Sequence, residues 1–177
     1  VVKGKKESVR EINNIGMSYL IKGMFSEAEA EFKRAIEADI KYSLGHNNLG
    51  VVYLQQNRID EAIKEFRLAT KYDPNNIEAF NNLGVAYTNK QKYTEAKEAF
   101  RKALSLNPNY RKAEENLKLL EERLSSLTRG NIQKEVKKDG TFLPKKVEKP
   151  PTISLCMIVK NEEENLSNAL SSVKDYV

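Results

Sequence analysis

Apolar residues in the first 128 positions recur at helical spacing, in pairs of short runs separated by a two-residue break. Ile12, Ile15, Gly16 and Tyr19 fall at i, i+3, i+4 and i+7, one face of a helix. Ala28, Phe32 and Ala35 define a second face beyond the break. A shift of 34 residues superposes Gly16 on Gly50 and Gly84, Tyr19 on Tyr53 and Tyr87, and Ala28 on Ala62 and Ala96. The same shift aligns Phe32 with Phe66 and Phe100, and Ala35 with Ala69 and Ala103. Five identities in three copies at one period mark an internal repeat, so the predicted elements are three helical hairpins.

The breaks are Lys22-Gly23, Gln56-Asn57 and Lys90-Gln91, where Gly and Asn tolerate the left-handed backbone that ends a helix. Ser26, Asp60 and Thr94 are expected to cap the second helix of each hairpin, and Ser26 with Glu29 forms a capping-box pattern. Pro74 and Pro108 are expected to stop the second helices, while Ile40 in the first copy predicts a less well-defined exit. Small residues at 16, 50 and 84 and at 28, 62 and 96 let paired helices approach closely, with Tyr and Phe filling the space beside them. Segment 111–127 sets Ala113, Leu117, Leu120, Leu124 and Leu127 on one side against charges on the other, the pattern of a solvating cap. Lys118 stands there where a fourth Gly would fall. No such hairpin buries its apolar face alone, so the copies must stack.

This pattern resembles the tetratricopeptide repeat (TPR). The resemblance covers residues 9–42, 43–76 and 77–110 plus the cap helix 111–127, within an array spanning 1–128. It implies an all-α, right-handed superhelical solenoid whose concave groove, lined by the first helix of each repeat, binds peptides or protein partners. By that family's geometry the groove positions include Asn13, Met17, Leu20, Asn47, Val51, Leu54, Asn81, Val85 and Thr88. Asn14, Asn48, Asn82 and Asn116 recur at the full spacing. An amide both donates and accepts, which suits a peptide backbone, and the series resembles asparagine ladders with which TPR superhelices hold extended peptides. Asparagine is also a common consensus choice there, so a packing role stands beside a binding one. A carboxylate clamp for chaperone C-termini would place basic side chains at positions 13, 78 and 82 and an amide at 17. This chain has Asn13, Glu78, Asn82 and Met17, with only Asn48 in agreement, and Glu78 would repel a terminal carboxylate.

His46 occupies a helix position suited to a bulky packing residue, and Glu27, Glu29 and Glu31 read as a solvated face. Nothing in residues 1–128 assembles a nucleophile, a base and an oxyanion donor, so no catalytic residue is assigned.

After residue 128 the pattern changes. Gly130, Gly140, Pro144, Pro150 and Pro151 mark 129–152 as a linker. Ile153 to Val159 is an apolar run without helical spacing, predicting a strand. Asn161 follows as an N-cap, with Glu162, Glu163 and Glu164 in the first turn and Leu166, Leu170 and Val173 on a buried face. This strand–turn–helix over 153–177 resembles the start of family 2 glycosyltransferases of the GT-A fold. The resemblance implies that Ile158, Lys160, Asn161 and Glu162 flank the base and ribose of a nucleotide sugar. The family's pattern has Pro and Tyr where this chain has Ile158 and Lys160. An isolated βα unit leaves strand faces bare, so 153–177 is expected to borrow a surface, including by self-association.

Composition then narrows the function. One cysteine (Cys156) and one histidine (His46) exclude an internal disulfide, cysteine-rich zinc sites and most histidine chemistries. The longest apolar run, Leu155 to Val159, is far below the ~20 residues of a membrane span, and a cytoplasmic location is expected. The first residue is Val1 with no signal-like segment after it, which reads as a trimmed start or an excised segment. The net charge of +5 is uneven: residues 1–128 hold 21 Lys/Arg against 18 Asp/Glu, and residues 129–152 hold 7 against 3. Lys137, Lys138, Lys145 and Lys146 in that linker are the basis of a weaker reading, RNA or acidic-surface binding, though no aromatics alternate with them. No Asp-x-Asp occurs, so no metal site or cofactor is expected in this chain. A divalent ion and nucleotide sugar enter only with a complete transferase domain. The expected function is a TPR protein- or peptide-binding scaffold, the N-terminal interaction arm of a family 2 glycosyltransferase. The alternative is a free-standing assembly adaptor.

Overall fold

The structure, a computed structural model, describes residues 7–135. Seven helices lie among them: α1 (Val9–Ile21), α2 (Phe25–Ala38), α3 (Ser43–Gln55), α4 (Ile59–Tyr72), α5 (Ile77–Asn89), α6 (Tyr93–Leu106) and α7 (Arg111–Glu135). The strand–turn–helix expected at 153–177, and the linker beyond Glu135, lie outside the described residues. Helix α7 continues past the expected end at 127 to Glu135, into the segment assigned to the linker.

The pairs α1–α2, α3–α4 and α5–α6 form the hairpins, and each hairpin stacks on the next through α2–α3, α4–α5 and α6–α7. In addition α1 touches α3, α3 touches α5 and α5 touches α7. The first helices of the repeats therefore close up into one continuous wall, the face on which a groove can form.

Each hairpin is locked by a small residue against an aromatic ring. Phe32, Phe66 and Phe100 are completely buried. A Cβ added at Gly50 would meet the Phe66 ring at 2.6 Å, and at Gly16 and Gly84 the equivalent distances to Phe32 and Phe100 are 2.6 and 2.5 Å. No side chain fits there without moving a packed ring. Each ring withdrawn from water contributes about 1.5–3 kcal/mol of hydrophobic stabilisation.

The hairpin turns take the left-handed conformation at Gly23 (φ 72°), Asn57 (φ 60°) and Gln91 (φ 60°). Around each, the backbone closes a Schellman motif. Met24, Arg58 and Lys92 donate to the carbonyls of Tyr19, Tyr53 and Tyr87 at 3.0, 2.8 and 2.8 Å. The capping expectation is corrected here. The second helices begin at Phe25, Ile59 and Tyr93, with Met24, Arg58 and Lys92 as N-caps and no side-chain cap bond. Ser26, Asp60 and Thr94 stand in the first turn instead. The reason is geometric, because the residue that completes the Schellman motif is already the N-cap of the next helix.

Side-chain capping occurs elsewhere. Ser8 and Glu11 form a capping box at α1, with Glu11 N–H donating to Ser8 Oγ at 3.2 Å and Ser8 N–H to Glu11 Oε2 at 2.7 Å. Asn76 caps α5 by accepting from Ala79 N–H at 2.9 Å. The first exit turn is also as well defined as the others, contrary to expectation. Asp39 accepts from Lys41 N–H at 2.9 Å, as Asp73 does from Asn75 and Asn107 from Asn109, both at 3.0 Å. The short polar side chain before the proline position sets the turn, with or without proline.

Candidate peptide-binding groove

The wall formed by α1, α3 and α5 is almost free of charge. Across their 39 residues only Arg10, Glu11 and Glu78 are Asp, Glu, Lys or Arg. The 42 residues of α2, α4 and α6 hold 17. Repeat periodicity places the charges on the outer helices, where water solvates them.

At the α1–α3 end the wall contains a hollow of about 220 Å³. Met17, Leu20, Ile21, Leu44 and Val51 supply its apolar lining, Asn13, Asn14, Asn47 and Asn48 its amides, and Glu78 a single acid. Ile21 and Leu44 are 40% and 49% exposed. Neither repeats at the 34-residue period, where Gln55 and Glu78 stand instead, so the sequence pattern does not mark them as groove positions.

The asparagines form a chain of hydrogen bonds from repeat to repeat. Asn48 donates to Asn13, Asn82 to Asn47 and Asn116 to Asn81, each at 3.0 Å. Within a repeat, Asn47 donates to Asn48 at 3.3 Å. Each amide of the Asn14 series thus reaches back to the Asn13 series of the preceding repeat. Asn13, Asn47, Asn81 and Asn82 are buried, Asn82 completely. Asn14 is exposed, and Asn48 and Asn116 are half-buried. Val85 and Thr88 are buried too, and the Thr88 hydroxyl donates to the Gly84 carbonyl at 2.9 Å. The candidate groove residues therefore divide. Asn14, Met17, Leu20 and Asn48 come together around an open hollow, whereas the third-repeat positions are closed in where α7 packs on α5.

Tetratricopeptide-repeat family models match residues 12–41, 31–64, 52–91 and 77–110, together spanning more than half of the chain. The chain is a tetratricopeptide-repeat protein. Among curated proteins none matches it. Solved TPR structures share its fold. The first TPR domain of Spaghetti (RPAP3) bound to an HSP90 peptide superposes with a TM-score of 0.65 at 22% identity, covering 71% of this chain and 99% of that one. The Sgt2 TPR domain from Aspergillus fumigatus gives 0.67 at 18% identity, with 79% and 90% covered. The second TPR domain of human RPAP3, in complex with an HSP70 peptide, gives 0.61 at 27% identity, with 64% and 94% covered.

Two polar clusters lie away from the hollow, one inside the second TPR hairpin and one between the first and second hairpins. His46 is buried, with Nδ1 2.7 Å from Glu65 Oε2, Nε2 2.9 Å from the Ile40 carbonyl oxygen and its ring 5.3 Å from that of Tyr72. It is a packed residue tying α3 to α4. Glu29, grouped with Glu27 and Glu31 as a solvated face, is drawn inward. It accepts from Lys33 at 2.7 Å and from Arg58 at 2.8 Å, and the Arg58 guanidinium lies 4.1 Å from the Tyr53 ring centroid. Burial works against the Glu29 carboxylate, but these two cations hold its pKa below the ordinary carboxylate range.

Ile158, Lys160, Asn161 and Glu162, the nucleotide-sugar candidates, lie outside the described residues. Among the described residues no group of three His, Cys, Asp or Glu is placed to hold a metal ion, and no helix is long and apolar enough to cross a membrane.

Proposed function

We propose that the groove binds an extended, weakly charged segment of a partner protein, seating an apolar side chain in the hollow between α1 and α3. The observation that carries this reading is the near absence of charge along α1, α3 and α5, combined with the exposed apolar lining of Ile21 and Leu44. Asn14 and Asn48 are the ladder members placed to meet a peptide backbone. The peptides bound by the RPAP3 domains, SRMEEVD and SGPTIEEVD, carry acidic groups at their C-terminal ends. This groove offers Asn13, Glu78 and Asn82 where such an acid would need cations, and Met17 where it would need an amide.

The test is fluorescence anisotropy with a panel of labelled, end-blocked apolar peptides and SGPTIEEVD. An apolar peptide is expected to bind with an affinity that changes less than about twofold across a sixfold rise in salt. Met17→Glu is expected to weaken it about tenfold or more by placing a charge in the hollow. Preferential binding of SGPTIEEVD, or indifference to Met17→Glu, would refute the reading.

The same groove serves, in this reading, as the interaction arm of a family 2 glycosyltransferase. That assignment is carried by the resemblance of residues 153–177, and it requires an Asp-x-Asp metal motif encoded beyond Val177.

A further inference from the structure

Helix α4 sorts its charges. Each of its three acids is engaged: Glu65 with His46 at 2.7 Å, Glu61 with the Arg58 guanidinium at 2.5 and 2.9 Å, and Asp60 with Lys90. Its three cations, Lys64, Arg67 and Lys71, are exposed and have no acidic partner among the described residues. They fall at i, i+3 and i+7, one stripe along the helix.

That stripe borders a cleft of about 540 Å³ between α4 and the α5–α6 turn. The turn contributes Lys90 and Lys92, and Ile63, Leu68 and Tyr87 supply apolar surface. Five cations therefore line the cleft with one acid, Asp60. Lys90 pairs with Asp60 and Lys92 with Glu95 at 3.6 Å, which leaves the three cations of α4. Residues 1–128 as a whole hold only three more basic than acidic side chains. The imbalance is local to this cleft.

We propose that the cleft is a second binding site, taking a short acidic segment of a partner protein. From Lys64 to Lys71 the stripe runs about 10 Å at the helical rise, which about three residues of extended chain span. Side chains of an extended peptide alternate, so acidic residues directed at the stripe leave the intervening side chain to rest on Ile63, Leu68 and Tyr87. A nucleic acid calls for a basic track with aromatic stacking platforms. Here the cations gather in one bounded hollow, and its apolar surface suits a side chain rather than a phosphodiester. Tyr87 comes from α5, but no residue is shared between the cleft and the hollow at the α1–α3 end of the groove, so the two sites are separate.

The probe is an end-blocked, fluorescein-labelled peptide of about eight residues, alternating Asp or Glu with Leu, read by anisotropy on the full chain. Wild-type protein is expected to bind it, and to bind several-fold more weakly as salt is raised. The exposed double variant Lys64→Glu/Arg67→Glu is expected to lose at least tenfold in affinity with an unchanged circular dichroism spectrum, while Met17→Glu in the groove leaves it unchanged. Absence of binding, or binding indifferent to the double variant, overturns the proposal. So does tighter binding of a uridine oligonucleotide of equal charge that depends on the same two residues.

Discussion

His46 shows how one side chain couples the array to pH. Both ring nitrogens face acceptors, the Glu65 carboxylate and the Ile40 carbonyl. A neutral imidazole has a single N–H, so one acceptor then meets a lone pair, whereas the imidazolium satisfies both. Burial alone pulls the pKa down, but the Glu65 and Ile40 bonds, with Glu65 and Asp39 as nearby negative charges, leave it raised above its ordinary value. A folded pKa above the unfolded one means that the native state binds the proton more tightly. The stabilisation is complete below about pH 6.5 and is lost as pH rises through the folded value. Wild-type urea midpoints are therefore expected to fall from about pH 6 to pH 8 relative to those of His46→Phe, a variant suggested by Phe80 at the equivalent position of the third repeat. Parallel profiles of the two proteins would exclude the coupling.

At the scale of elements, the helices and turns were legible because periodicity reports burial directly. Ile12, Tyr53 and Phe66 are all inside, and the left-handed turns stand where Gly23 and Asn57 marked them. The caps were not legible. Ser26, Asp60 and Thr94 have the right side chains, but the backbone bonds from Met24, Arg58 and Lys92 to Tyr19, Tyr53 and Tyr87, which close the preceding helix, fix the helix starts earlier. The ladder was legible as a spacing but not as a wiring. Its pairing with the neighbouring asparagines depends on how consecutive repeats stack. Asn82→Ala removes a fully buried donor and strands the Asn47 oxygen, at a cost of about 1–3 kcal/mol. Asn14→Ala, at an exposed position, is expected to stay within about 0.5 kcal/mol of wild type while weakening peptide binding. Equal loss of stability in the two variants, measured by urea denaturation, would contradict this division of labour.

As a whole molecule the array depends on how its last hairpin is covered. Helix α7 lays Ala113 and Leu120, both completely buried, against the rest of the core. Leu120→Ala is expected to cost about 2–5 kcal/mol. Because stability in a stacked array is close to a sum over nearest neighbours, the loss is expected first at the third repeat. Hydrogen exchange should show α5 and α6 losing protection before α1 and α2, and uniform loss along the chain would indicate a single cooperative unit instead.

The hairpin turns also constrain how the sequence can change in length. Met24, Arg58 and Lys92 each finish one helix and start the next, so no residue in these turns is spare. One inserted residue would rotate the following helix by about 100° and carry the phenylalanine away from its glycine. The connections at 39–42, 73–76 and 107–110 lie between hairpins rather than inside them. Insertions in natural or engineered variants are therefore expected to cost less stability there than inside a hairpin, and a tag or a reporter loop belongs at those connections, away from the Asn76 cap of α5.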